Sequence, residues 1–141
     1  MNHIIRDITE ITRCGVEYRT EKFAPMGLKA CHGSYLQEIC ANPGISQEQL
    51  AKSIMINKSN VARQAAALEE GGFVERRACG NDKRVMRLYP TEKTLALLPQ
   101  IDSIMRQWQD WLIQDLDAEQ QLLLENMLLR MKLRASACME D

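Results

Sequence analysis

Residues 45–91 read ISQEQLAKSIMINKSNVARQAAALEEGGFVERRACGNDKRVMRLYPT. The stretch holds two helix starts of one kind, a double-glycine stop and a charged hairpin. Ser46 can accept from the backbone N–H of Gln49 while Gln49 reaches back and Ile45 packs on Leu50, which makes a capping box with a hydrophobic staple. Asn57 is the second N-cap, with Ile56 and Val61 placed for the same staple. Only about three or four residues separate the two helices, as a helix-turn-helix requires.

In the second helix Val61, Ala65 and Leu68 fall on one stripe, and Lys58, Asn60, Arg63 and Gln64 fall elsewhere. Arginine suits guanine edges, asparagine and glutamine suit adenine edges, and lysine suits phosphate, so this helix has the side chains of a major-groove reader. Gly71 and Gly72 stop it. A strand-like run from Phe73 to Arg77, a turn at Gly80, Asn81 and Asp82, and a return strand from Val85 to Tyr89 make a hairpin. Its cations Arg76, Arg77, Lys83, Arg84 and Arg87 suit a strand pair lying on a phosphate backbone. The pattern is a winged helix-turn-helix.

The run L50-A-K-S, the recognition run N57-K-S-N-V-A-R, the exit A67-L-E-E-G-G-F-V-E-R76 and the wing tip N81-D-K-R84 resemble the MarR family of bacterial transcription regulators. With the flanking helices included, the resemblance covers the whole length. Three positions depart from the family pattern: Asn57 stands where an acidic cap is usual, Ala62 where a threonine is common, and Thr94 where a glycine usually follows the wing. Loss of the threonine hydroxyl at Ala62 removes one possible phosphate contact.

The chain has 141 residues, 45% hydrophobic and 26% charged, enough for one domain with its own core. It has no run of about 18 apolar residues, and the charged start MNHIIRDITE does not read as a secretory signal, so the expected location is the cytoplasm. A net charge of -1 speaks against nucleic acid, but its distribution is uneven and matters more than the sum. Residues 52–94 carry nine Lys or Arg against five Asp or Glu, whereas residues 95–141 carry four against eight. Cation is therefore concentrated on the reader and hairpin. Five cysteines without C-x-x-C spacing argue against a disulfide framework or a zinc ribbon, and nothing in the sequence calls for a cofactor or metal.

The flanks read as helices. Ile4, Ile8, Ile11 and Tyr18 form a stripe over about residues 3–22, broken by Pro25 and Gly27, and residues 28–41 read as a second helix. A long helix follows the hairpin, with a kink or late start expected at Pro99. Asp117 with Gln120 caps the last helix, whose Leu122, Leu123, Leu124, Met127, Leu128, Leu129, Met131 and Leu133 wrap most of its circumference. Such a helix must be covered on more than one side, and in so short a chain the expected second cover is a symmetry mate. The fold class is thus mainly α with a small β-hairpin wing. A DNA-binding lobe is expected at about 28–93, with dimerisation helices at about 1–24 and 94–141.

The expected DNA-binding set is Ser46, Lys58, Ser59, Asn60, Arg63, Gln64, Arg76, Arg77, Asp82, Lys83 and Arg84. Lys58, Arg76, Arg77 and Lys83 are assigned to phosphate, which positions without specifying. The resemblance implies that Asp82 orients the tip and that Arg84 enters the minor groove. It also implies a pocket for a small aromatic or phenolic effector, for which His32, Tyr35, Trp108 and Trp111 are candidates; core packing explains the same residues. One branch of the family senses peroxide through an N-terminal thiol, and Cys14 is the matching candidate, against the alternative of an inert cysteine. Cys79 and Cys138 are expected to be exposed.

The expected function is sequence-specific binding of a palindromic duplex operator by a homodimer, most often as a repressor released by an effector or oxidant. The rivals are a winged-helix protein-docking module without DNA affinity, and an enzyme. Cys31 beside His32 is the only hint of a nucleophile and base, and neighbours on a helix point about 100° apart, so no enzyme activity is expected.

Overall fold

A computed structural model of the chain describes residues 2–139, apart from the side chain of Lys83. In order it has α1 (Ile4–Phe23), a 3-10 turn (Ala24–Met26), α2 (His32–Ala41), β1 (Ile45–Ser46), α3 (Gln47–Ser53), α4 (Lys58–Glu70), β2 (Val74–Cys79), β3 (Asp82–Pro90), α5 (Glu92–Leu112) and α6 (Ala118–Met139). Two compact units meet inside α5, one ending at Arg106 and the other beginning at Gln107.

The first unit is built on the two expected caps. Ser46 Oγ accepts the Gln49 N–H at 3.0 Å, and Gln49 Oε1 accepts the Ser46 N–H at 3.0 Å. Asn57 Oδ1 accepts the Asn60 N–H at 2.8 Å and starts α4. Because Ser46 is itself buried, removing its hydroxyl leaves the Gln49 N–H without its acceptor. Ser46→Ala should therefore lower unfolding stability by about 1 kcal/mol in urea titrations. An unchanged midpoint would show that the cap contributes nothing.

The double glycine ends α4 through tertiary closure as well as local geometry. Gly72 takes φ of +78°, and the Phe73 N–H returns to the Leu68 carbonyl at 2.9 Å. Phe73 is thereby delivered into a core that includes Leu36, Ile39, Leu50, Val61, Leu68 and Leu88, all with 3% exposure or less.

Three details differ from the sequence-based expectation, and a fourth adds to it. The second helix starts at His32 rather than at residue 28. Gly27 at φ +77° and the Leu28 N–H to Phe23 carbonyl bond turn the chain first, and Leu28 enters the core from that turn. The hairpin is part of a three-stranded antiparallel sheet of order β1-β3-β2, with Ile45 opposite Leu88 and Ser46 opposite Arg87. A strand of two residues has no periodicity to read. Third, α5 runs unbroken from Glu92 through Pro99. Pro99 forfeits one intrahelical bond, while Ile101 and Ile104 beyond it are buried. Fourth, at Thr94, the position where the family pattern has glycine, the side chain is fully buried and its Oγ1 donates to the Phe73 carbonyl at 2.6 Å, tying α5 to the entry of β2.

The second unit contains the end of α5 and α6. Asp117 Oδ1 accepts the Gln120 N–H at 2.8 Å and Gln120 Oε1 accepts the Asp117 N–H at 3.0 Å, the expected cap of α6. No described residue of α6 is buried, and Leu122, Leu123, Leu129 and Leu133 are each more than half exposed.

Candidate nucleic-acid interface

Burial of Val61, Ala65 and Leu68 turns the other face of α4 outward. Lys58, Ser59 and Arg63 are exposed and Asn60 is half-buried. Arg63 Nη2 lies 3.4 Å from Asn60 Oδ1, so the two candidate base readers stand side by side one turn apart. Ser59 Oγ donates to Asn57 Oδ1 at 3.0 Å and closes the same cap. Lys58 Nζ reaches Glu48 Oε1 on α3 at 3.0 Å, and this bond holds the Glu48 carboxyl below the usual carboxylate range. Both partners are largely exposed, so the pair is weak and exchangeable for phosphate.

In the wing, β2 and β3 are joined across Gly80 and Asn81, with an irregularity between Ala78 and Cys79. Asp82 Oδ1 accepts the Arg84 backbone N–H at 2.9 Å and lies 3.5 Å from Arg84 Nε. The tip is thereby shaped by its own aspartate, while the Arg84 side chain remains 94% exposed. Lys83, expected to touch phosphate, has its side chain outside the described residues.

Three expected DNA contacts are engaged inside the protein, and a fourth is paired at the surface. Ser46 is buried and its hydroxyl serves the cap. Gln64 Oε1 lies 2.9 Å from His32 Nε2, turned toward α2. Arg76 holds Glu69 through Nε and Nη2 at 3.1 and 3.0 Å, and its backbone N–H donates to the other Glu69 oxygen at 3.1 Å. It fastens the end of α4 to β2, and the same contacts lower the Glu69 pKa. Arg77 pairs with Glu75 at 2.7 Å and lies 4.2 Å from the Tyr89 ring centroid, yet keeps 59% of its side chain accessible. Residue type alone could not separate these arginines, because strand alternation fixes which one turns back to α4.

One residue of this face was not among the expected contacts. Gln47 lines a cleft of about 310 Å³ between α3, α4 and β3, together with Lys58, Ala62 and Arg84. Its Oε1 is buried there with no hydrogen-bond partner. The only sequence signal was its place as the first helical residue after the Ser46 cap.

The effector candidates divide between the two units. His32 and Tyr35 are core residues of the first, edge to face at 6.4 Å between centroids. Burial, followed by nearby Lys29, pushes the His32 pKa down against the Gln64 hydrogen bond. Burial raises the Tyr35 pKa, and its hydroxyl has no hydrogen-bond partner. Trp108 and Trp111 stack on each other at 5.7 Å in the second unit. Neither unit by itself holds all four side chains. Cys14 is exposed on α1 and Cys138 is exposed near the end of α6, but Cys79 is half-buried, a correction to its expected exposure. The Asn81 backbone N–H and then the Arg87 guanidinium lower the Cys79 pKa.

Comparison with known proteins gives this arrangement a family. The MarR family model matches residues 31–86, from the turn before α2 into β3. The solved structure of the transcriptional regulator SlyA superposes with a TM-score of 0.92 and 30% identity, covering 96% of this chain and 96% of that one. The chain belongs to the MarR family. A curated relative, the uncharacterized HTH-type transcriptional regulator YybA of Bacillus subtilis (strain 168), is 34% identical over 99 residues, which are 70% of this chain and 66% of that protein. The match thus spans just under two thirds of that relative's length. A MarR-family chain from Listeria monocytogenes, solved in complex with a 26mer DNA, superposes with a TM-score of 0.89 at 28% identity over 95% of this chain and 89% of that one. The MarR chain has no described helix long and apolar enough to cross a membrane.

Proposed function

We propose that the chain is a cytoplasmic transcriptional regulator, without enzyme activity, that binds a palindromic duplex operator as a homodimer. Each subunit places α4 in a major groove, with Asn60 and Arg63 on base edges, and the tip of its wing in the neighbouring minor groove. Residues from about 28 to 93 form the reading lobe, and the segments before and after it form the dimer layer. Two readers held together face half-sites about one helical turn apart, roughly 34 Å centre to centre. The family's usual role is repression. An effector or oxidant that changes the separation of the readers releases the operator, by a coupling of order 1 to 3 kcal/mol.

The observation that carries this reading is that Arg63 on α4 and Arg84 on the wing are both exposed, Arg84 lining the cleft between α3, α4 and β3, while Arg76 and Arg87 are held by Glu69 and the Gly44 carbonyl. The DNA-bound Listeria relative supports it by likeness. Arg84→Ala should weaken operator binding mainly where the flank is A·T-rich, because a narrow minor groove attracts arginine. The affinity loss is of order tenfold, measured by fluorescence anisotropy on operators with A·T-rich and G·C-rich flanks. Equal losses on both flanks would remove Arg84 from the minor groove. The same titrations repeated across salt concentrations separate a DNA reader from a protein-docking winged helix, since only the former shows a steep fall of affinity with salt.

A further inference from the structure

His32 opens α2 and is almost wholly buried, at 4% exposure. Its Nδ1 accepts the Lys29 backbone N–H at 3.0 Å, so the ring proton must sit on Nε2, which faces Gln64 Oε1 at 2.9 Å. In that tautomer the ring can only donate to Gln64, and the bond fixes which end of the Gln64 amide turns inward. Gln64 directly follows Arg63 on α4 and lies one turn beyond Asn60. The turn containing Lys29 is also tied to α1, because Arg19 Nε donates to the Ala30 carbonyl at 3.2 Å. One series of hydrogen bonds therefore joins α1, the turn before α2, and α4.

Apolar seating does not make this tie redundant. Val61, Ala65 and Leu68 keep α4 from lifting off the core, but a helix packed along one stripe can still roll about its axis. A roll of about 10° moves a side-chain tip on the helix surface by about 1 Å, enough to spoil a bidentate contact with a base edge. A polar tie from the flank opposes that motion.

We infer that His32 is a positioning residue for DNA reading: by donating from Nε2 to Gln64 it sets the roll of α4, and so the pose in which Asn60 and Arg63 meet the bases. Gln64 is then an internal acceptor and reads no base. The inference rests on the DNA-reading proposal above and adds to it a route by which movement of α1 reaches the reading helix.

The test uses the full chain with His32→Asn, His32→Gln, Gln64→Met and the double variant His32→Asn with Gln64→Met. Asparagine keeps an acceptor near the place of Nδ1, and glutamine keeps a donor near the place of Nε2; both lose the ring contact with Tyr35. Affinity is measured on the operator and on a panel with each base pair substituted. His32→Asn and Gln64→Met should each weaken binding across the panel alike, about five- to tenfold for one buried hydrogen bond. The double variant should be no weaker than either single one, and His32→Gln should stay within about twofold of the unmodified chain. Equal losses for His32→Asn and His32→Gln, as packing alone would give, would overturn the inference. So would a changed base preference at one operator position for Gln64→Met alone. Long-range 1H–15N spectra of the imidazole read the tie without DNA: the Nε2–H tautomer, shifted by Gln64→Met, is expected, and an Nδ1–H tautomer removes the tie itself. A chain that binds no duplex but shows the Nε2–H tautomer overturns the DNA reading and the role of His32 in it, while leaving the hydrogen bond in place.

Discussion

Leu129→Asp is expected to turn the proposed dimer into a monomer and to reduce affinity for the proposed operator by about a hundredfold or more. Leu129 is 53% exposed on a helix with no buried residue, beside Leu122, Leu123 and Leu133, which are at least as exposed. So much leucine surface in contact with water implies a cover, and each side chain that the cover buries contributes about 1.5 to 3 kcal/mol. An aspartate placed there must be desolvated without a partner, which costs several kcal/mol and opposes assembly. Once the readers are separated, the second half-site no longer benefits from high effective concentration, a loss of two to four orders of magnitude. Sedimentation velocity and anisotropy give the two readouts. Because Leu129 makes no part of the core, the circular dichroism spectrum should still show the helices. A variant that stays dimeric, or a monomer that binds as tightly, would refute the clasp.

Arg63→Ala is expected to cost about 1 to 3 kcal/mol of operator binding and to relax preference at one base pair, as loss of a direct base contact does. Arg63 is exposed, and its side chain is hydrogen-bonded to Asn60 on its own helix, so its removal should leave the melting temperature close to that of the unmodified chain. Uniform weakening on every sequence would instead make it a phosphate contact, with a salt slope reduced by about one. Unchanged binding would remove α4 from the major groove.

Much of the fold was legible in the sequence. Caps announce themselves because a serine or asparagine side chain must lie within three residues of the N–H groups it satisfies, so Ser46, Asn57 and Asp117 could be assigned from spacing alone. The stripe of Val61, Ala65 and Leu68 was equally plain, since helical period is a property of the sequence. The internal partners of Arg76 and Gln64 were not legible, for one physical reason. Each has a long, half-buried polar side chain, and its partner, Glu69 or His32, is fixed by how helix, strand and turn are brought together. Gln47 was missed because a glutamine after a cap is unremarkable until β3 closes a cleft over it.

By itself the sequence determined the helix starts, the stop at Gly71 and Gly72, the concentration of cation between residues 52 and 94, and the family resemblance, because these depend on neighbours within a few residues along the chain. The tertiary structure alone decided that α2 begins at His32, that β1 joins the sheet, and which cations stay available. Those outcomes depend on groups brought together from distant parts of the chain: the Gly44 carbonyl takes a bond from Arg87 at 2.9 Å, and Glu69 holds Arg76. A long polar side chain whose hydrogen bonds are satisfied inside the fold cannot also serve a ligand, and only the folded packing shows which side chains these are.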